Sequence, residues 1–323
     1  MTAESSRTDD SKPEAPNPGA ANPGAAKPGS ARRRRKRREA LLGYLMVAPS
    51  LILFVVFVFY PFLRNFYLGL YRTPPFPGLP KQWAGLTQFR EVLTSHDFLN
   101  SLKVTLLFVL FTVPPGLVLG LLLAVLAHQR LRGIGFFRTV FSSTVATSVA
   151  VASVIFFTLL NPQVGLFTYW LGRQDQPSIL DSSHALLAVS AVTVWQNLGL
   201  SFILMSAGLQ AVPDDLLEAA MVDGAGTWSR FRNVILPLLS PTIFFSIVVG
   251  SILAFSAFGQ IDLLTGGGPL KKTNVLVFAT YDAVFRESNE GKAAVYAIAL
   301  FAITMLLTLV QLRLLERKVS YER

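Results

Sequence analysis

The sequence predicts an all-α integral membrane protein with six transmembrane helices. Three observations predict it. The chain of 323 residues is 52% hydrophobic and only 15% charged, where an ordinary soluble domain carries about 25% charged residues. Six stretches of at least 18 residues hold no Asp, Glu, Lys or Arg: 40–63, 104–129, 139–172, 182–213, 233–261 and 293–312. A helix of about 20 apolar residues crosses a hydrocarbon core of about 30 Å. The remaining charges gather between these stretches or before the first. Together these features exclude a soluble globular enzyme, a disordered protein and a disulfide scaffold.

The N-terminal segment carries much of the charge. A formal net charge of +10 admits nucleic acid as a partner, but its placement points to a membrane. Residues 1–40 hold ten Lys or Arg and five Asp or Glu, so half of the excess lies there. Residues 17–31 are three near-copies of one unit, NPGAA, NPGAA and KPGSA. Pro and Gly at that density bury too little surface to fold, so 1–31 is expected to be disordered. The run Arg32-Arg-Arg-Arg-Lys-Arg-Arg38 follows, directly before the first apolar stretch. A signal peptide, a nucleic-acid tail and a membrane anchor compete to explain it. The apolar stretch is too long for a signal peptide and no small-residue cleavage site follows it. Aromatic residues do not interleave with the arginines, as a nucleic-acid tail would favour. A cytoplasmic anchor beside a transmembrane helix fits best, with no nucleic-acid partner.

Six spans follow in order. The first covers about 42–63 and is bounded by Pro61. The second is about 102–127, the third about 139–160 and the fourth about 184–207. The fifth is about 240–261 and the sixth about 294–314. With the tail inside, the cytoplasmic segments 1–39, 128–138, 208–239 and 313–323 hold 19 Lys or Arg. The outside segments 64–103, 161–183 and 262–292 hold 10. The positive-inside rule therefore places both termini in the cytoplasm. Pro114-Pro115-Gly116 interrupts the second span, and Ser142, Ser143, Thr144, Thr147 and Ser148 dot the third. Such residues suit close helix packing or a polar cavity. Apart from Lys103 and Arg313 at their ends, the spans hold no ionised residue, although proton and sodium relays use buried Asp, Glu or His. That weighs against a self-sufficient secondary carrier or channel. Cysteine is absent, and His96, His128 and His184 lie too far apart for a metal-ligand motif. No catalytic centre, cofactor or metal is expected, and the chain does not read as an enzyme.

The segment between the fourth and fifth spans, 213–237, reads as helix–turn–helix. Pro213, Asp214 and Asp215 open a helix whose positive dipole end suits acidic residues. Leu216, Leu217, Ala220 and Met221 make one apolar stripe. Asp223-Gly-Ala-Gly226 breaks the helix, and Thr227 is expected to cap a second short one. Arg230 and Arg232 are expected to face the cytoplasm, and Pro237 and Pro241 mark the return to the bilayer. Standing alone, the segment exposes Leu217, Met221, Trp228 and Phe231. It is either a docking surface or packed on its own helices.

The same residues carry a resemblance. Glu218-Ala219-Ala220, three residues, Gly224, nine residues and then Val234-Ile235-Leu236-Pro237 match the EAA loop of bacterial ABC-importer permeases. The one departure is Val234 where the pattern has Ile. The resemblance extends over about 40–323 and is to the carbohydrate subgroup, of the maltose and glycerol-3-phosphate permease type. Leu41–Ser50 resembles the opening helix of that subgroup. Trp83–Phe89 and Asp97–Thr105 resemble its first outer loop and the start of its second helix, and Phe137-Arg-Thr139 the start of the third. Leu264-Thr-Gly-Gly-Gly-Pro269, with Thr273 and Tyr281, is similar to its fifth-to-sixth loop, and Arg313–Tyr321 to its ending.

The resemblance implies an ABC importer type I permease fold. On it, residues 1–39 form a basic cytoplasmic tail and 40–97 the first transmembrane helix and outer loop. Residues 98–312 form the permease domain, and 313–323 a cytoplasmic tail. It also implies a second homologous permease subunit, two copies of a cytoplasmic ATPase and an extracytoplasmic solute-binding protein. The setting implied is the bacterial cell membrane. Glu218 would make a polar contact to the ATPase, Gly224 would permit the turn, and Ala219 and Ala220 would allow close approach. Leu236 and Pro237 close the motif. The cavity of the family involves the helices on either side of this loop. Candidates are Gln196, Asn197 and Ser201 on the fourth span, and Ser251, Phe255, Ser256 and Gln260 on the fifth. Amides and hydroxyls hydrogen-bond sugar hydroxyls, and Trp195, Phe255 or Phe258 offer stacking faces. The absence of Lys and Arg from the interior of the spans favours a neutral sugar, while the ending favours glycerol 3-phosphate or a glycerophosphodiester.

Gly266-Gly-Gly-Pro-Leu-Lys-Lys-Thr273 mimics a phosphate-binding loop, but the pattern needs Gly where Lys271 stands. Pro269 also removes an amide. The segment is expected to be an outer turn, so the ATP site lies on a separate subunit.

Overall fold

The computed structural model describes residues 28–74, 79–128, 133–161, 165–170, 172, 178–181 and 183–315. Helices dominate: α1 (Pro28–Phe54), α2 (Tyr60–Gly69), α3 (Leu86–Leu93), α4 (His96–His128), α5 (Ile134–Ser143), α6 (Val149–Leu159) and α7 (Leu166–Trp170). Then come α8 (Ala185–Gln210), α9 (Asp214–Val222), α10 (Thr227–Arg230), α11 (Leu236–Leu238) and α12 (Ser240–Phe255). The last are α13 (Gly259–Leu264), α14 (Leu276–Phe285) and α15 (Glu290–Leu315). One two-stranded antiparallel ribbon pairs β1 (Tyr71–Arg72) with β2 (Gln82–Trp83).

Four helical stretches among the described residues are long and apolar enough to span: 39–69, 96–128, 185–210 and 290–313. Two more spans arise only if each bent pair of helices counts as one, 134–146 with 149–159 and 227–238 with 240–255. The expected six are met in that sense. Of the stretch 1–31 expected to be disordered, 1–27 lies outside the described residues, while 28–31 forms the first turn of α1 and is not disordered. α1 starts at Pro28, so the boundary expected at 39 falls inside a helix.

Three spans differ from the expectation in a physically instructive way. The first does not stop at Pro61, because helix continues to Gly69. The second is not interrupted at Pro114-Pro115: α4 runs through both over 33 residues. Proline costs a helix its own N–H donor, and side-chain hydroxyls and neighbouring helices compensate in a membrane. The carbonyls left without an N–H are those of Leu110 and Phe111, four residues before the prolines. The third span is bent by 103° between α5 and α6. Its hydroxyl-rich stretch makes the bend. Ser148 Oγ accepts from the Val151 N–H and caps α6, and Thr144 Oγ1 accepts from the Gly199 N–H of α8 at 2.8 Å.

The chain divides into two compact units at Pro61. In the first, the side chains from Leu51 to Tyr60 are exposed. The second, 62–323, holds the core. Val104 and Phe108 of α4, Val189 of α8, Ile261 of α13 and Phe278 of α14 pack as one buried cluster. A second joins Ala124 and Ala127 of α4 to Phe202, Met205 and Leu209 of α8 and to Leu239, which opens α12. Arg138 closes the end of α4, donating to the Ala127 carbonyl at 2.7 Å.

The α4–α8 contact requires Gly120. A Cβ there would stand 2.6 Å from Ser201 Cβ and 3.0 Å from its carbonyl carbon. Gly120→Val is expected to destabilise the purified protein by about 1–3 kcal/mol, read as a fall in thermal midpoint in detergent. An unchanged midpoint would show that the two helices do not meet this closely.

Candidate functional site

Two sites stand at successive levels of the second unit. The first is the α9–α10 hairpin. Asp214 and Asp215 fill the first turn of α9, after Pro213 in extended conformation, as the sequence predicts. The helix ends in a glycine turn. Gly224 has φ 78°, and its N–H donates to the Met221 carbonyl at 3.0 Å. The Ala225 N–H reaches back to the Ala220 carbonyl at 2.9 Å. This pair is the Schellman arrangement, which needs a residue at ease with positive φ. Gly224 thus supplies the turn and Ala220 the carbonyl that closes it. Gly226, not Thr227, is the N-cap of α10; Thr227 is its first helical residue. A π turn over 231–235 carries the helix into Leu236 and Pro237.

The hairpin faces outward. Glu218 and Ala219 are exposed, as are Leu216 and Met221. Val222 is 88% exposed and Trp228 71%. Trp228 stacks on Phe231 with ring centroids 5.6 Å apart. Arg232 is exposed, whereas Arg230 is partly buried. Of the four apolar residues the sequence expects to be exposed, Met221 and Trp228 are, whereas Leu217 and Phe231 are partly buried. The hairpin is not loose: Leu239 follows it and is fully buried against α4 and α8.

The second site is a small, mostly apolar cavity of about 50 Å³ between α4, α8 and α12, with a few polar side chains in its lining. Thr112 and Gly116 come from α4, Thr193, Asn197 and Ser201 from α8, and Ser246 and Gly250 from α12. None of its lining residues is ionisable. Thr193 Oγ1 is engaged with the Val189 carbonyl at 2.8 Å, but Ser246 Oγ is buried with no hydrogen-bond partner. The space admits water, not a sugar ring.

The sequence-predicted pathway residues separate here. Asn197 and Ser201 line the cavity. Gln196 instead accepts from Gln260 Nε2 at 2.9 Å, joining α8 to α13. Gln260 does not lie on the fifth span, since α12 ends at Phe255. Ser251 Oγ accepts from Gln311 Nε2 at 2.9 Å, and Phe255 is buried. Ser256 borders a separate groove of about 590 Å³ with Phe258, Tyr281 and Phe301. Trp195 meets Phe156 edge-on at 5.1 Å. Sequence reasoning missed Thr112, Thr193 and Ser246. A spacing signal existed: Thr112/Gly116/Gly120, Thr193/Asn197/Ser201 and Ser246/Gly250/Ala254 are small or polar residues four apart, hence on one face of each helix.

Residues 116–321 match the family described as the binding-protein-dependent transport system inner membrane component. The sn-glycerol-3-phosphate transport system permease protein UgpA of Agrobacterium fabrum is 40% identical over 284 residues, 87% of this chain and 97% of its own length. The UgpA of Rhizobium meliloti is 38% identical, with the same coverage. The UgpA of Escherichia coli is 34% identical over 288 residues, 88% of this chain and 97% of its own. Among solved structures, a bacterial ABC transporter involved in import of the acidic polysaccharide alginate superposes with TM-score 0.75 at 21% identity, covering 88% of this chain and 99% of its own. The alginate transporter in complex with its alginate pentasaccharide-bound periplasmic protein gives 0.77 at 20%, covering 90% and 99%. At that identity the likeness is one of fold.

Gly224→Ala is expected to cost the turn about 1 kcal/mol, the penalty for a side chain at positive φ. Amide exchange at Gly224 and Ala225 should then quicken roughly fivefold. Unchanged protection would remove the turn from the account.

Proposed function

The chain belongs to the family of binding-protein-dependent transport system inner membrane components, and from that premise we propose that it forms half of the translocation pathway of an ABC importer for a sugar or polyol. A second, homologous permease supplies the other half. ATP is hydrolysed by two copies of a separate ATPase subunit. The observation that carries the reading is the exposed α9–α10 hairpin, which combines the Glu218-Ala219-Ala220…Gly224 pattern with an apolar surface centred on Val222 and Trp228. The ATPase seats this hairpin, with Glu218 making its polar contact and Ala219 permitting close approach. Lysines and arginines favour the hairpin's side as the cytoplasmic one, with both termini there.

Closure of the ATPase pair moves the hairpin as a body. Leu239 passes that motion to α12, whose movement away from the packed α4–α8 pair opens the cavity. Asn197, Ser201 and Ser246 then offer uncharged donors and acceptors to solute hydroxyls. The neutral lining favours a sugar or polyol over a phosphate ester. A second reading rests on relatives named as sn-glycerol-3-phosphate permeases; it requires the partner permease to supply the cation. A self-sufficient carrier is disfavoured by the lack of an ionisable group in the cavity lining.

Glu218→Lys and Gly224→Asp are expected to abolish solute-stimulated ATP hydrolysis by the reconstituted transporter, with the chain still inserted. Uptake that persists without any ATPase would refute the importer. Asn197→Ala combined with Ser246→Ala should lower uptake by about tenfold or more, the loss of two solute hydrogen bonds, with basal ATP hydrolysis retained. Uptake at the level of the unmodified chain would move the solute path elsewhere.

A further inference from the structure

The cationic run at 32–38 has no part in the coupling or the cavity. α1 is unbroken from Pro28 to Phe54, so the run shares one helix with the apolar residues that follow it. The charge-free stretch opens at Ala40, two residues after Arg38. A helix advances about 1.5 Å and about 100° per residue. Seven consecutive cations therefore occupy about 9 Å of the axis and wind more than once around it. They form a ring. A helix built to meet a single charged surface gathers its charges on one face instead.

The next turns of the helix are uncovered among the described residues. Leu41, Leu42, Tyr44, Leu45 and Met46 are all exposed, and these positions again go round the axis. An apolar ring thus adjoins a cationic ring on one rod. A bilayer is about 40–45 Å thick with a hydrocarbon core of about 30 Å, which leaves about 5–8 Å of polar layer on each side. With the apolar ring in hydrocarbon, the cationic ring falls in that layer.

We infer that the ring at 32–38 binds a collar of anionic phospholipid headgroups, whose phosphates meet the helix from every side. A protein partner approaches from one direction and leaves the cations of the far side without counter-charges. The lipids of a leaflet surround a helix, and a second subunit seated beside the span takes up only an arc of the collar. An anionic leaflet favours each Lys or Arg near its surface by about fivefold. The collar also pins the depth of the rod. A slide of one turn, about 5.4 Å, drags cations into hydrocarbon in one direction and lifts Leu41 and Leu42 into water in the other. The collar does not depend on what the chain transports.

The test uses the full chain in nanodiscs of phosphatidylcholine with a minor share of phosphatidylglycerol. The chain has no cysteine, so Ala40→Cys carries a single donor fluorophore beside the ring. Acceptor-labelled phosphatidylglycerol should be enriched near that donor at least about fivefold over acceptor-labelled phosphatidylcholine. Salt at about 1 M, where the Debye length is about 3 Å, should remove the enrichment. Inorganic phosphate in the millimolar range should not, and displacement by it would reassign the ring to soluble phosphates. Three double variants divide the ring by face: Arg32→Gln with Lys36→Gln, Arg33→Gln with Arg37→Gln, and Arg34→Gln with Arg38→Gln. Residues four apart share a face, and each variant keeps five of the seven cations to hold the span in place. A collar predicts that all three lower the enrichment by similar factors. Loss in one variant alone would reveal a single binding face and overturn the collar, as would equal transfer to both lipids in the unmodified chain. The enrichment should persist in the complete transporter. Its disappearance there, with the run shielded from trypsin, would assign the run to a partner subunit.

Discussion

The close approach of α4 to α8 is the constraint on which the second unit depends. Gly120 admits the backbone of α8 at Ser201, and no side chain fits between them. Near that contact small and hydroxyl-bearing residues of both helices line a small cavity together with α12. A membrane interior makes such a contact worthwhile. Lipid tails compete poorly with tight backbone packing, yet no hydrophobic force draws the helices together. The same faces that let the helices touch are therefore the faces that carry polar groups.

The hairpin inherits its rigidity from this contact. Leu239, at the foot of α12, is buried among Ala124, Ala127, Met205 and Leu209, the side chains that weld α4 to α8. Above it the Gly224 turn fixes α9 against α10 through two backbone hydrogen bonds. Exposed apolar side chains on the hairpin, Val222 and Trp228 among them, are costly in water.

Much of this was legible in the residues. Charge-free stretches located the spans, and the spacing from Glu218 to Pro237 located the hairpin. The turn at Gly224 could be read because only one residue type tolerates that backbone cheaply. The spans' interior geometry was not legible. Pro114 and Pro115 suggest a break, yet α4 continues through both. The hydroxyls at 144–148 suggest packing, yet they cap a right-angled bend. Gln196 and Gln260 looked like solute ligands but satisfy each other, a pairing between residues 64 apart that no local pattern foretells. Ser246 is the converse: an unremarked serine in an apolar run whose hydroxyl the fold leaves without a partner.

The central claim is that the α9–α10 hairpin is the seat of an ATPase. The chain has no cysteine, so a single introduced thiol reports without background. Val222→Cys, placed at the most exposed apolar point of the hairpin, can be probed in the assembled transporter with a thiol-specific cross-linker. The account predicts a cross-link to the ATPase subunit, protection from a bulky maleimide in the assembly, and loss of transport once the link forms. Free labelling of that cysteine in the assembly, with and without ATP and with no cross-link, would contradict it.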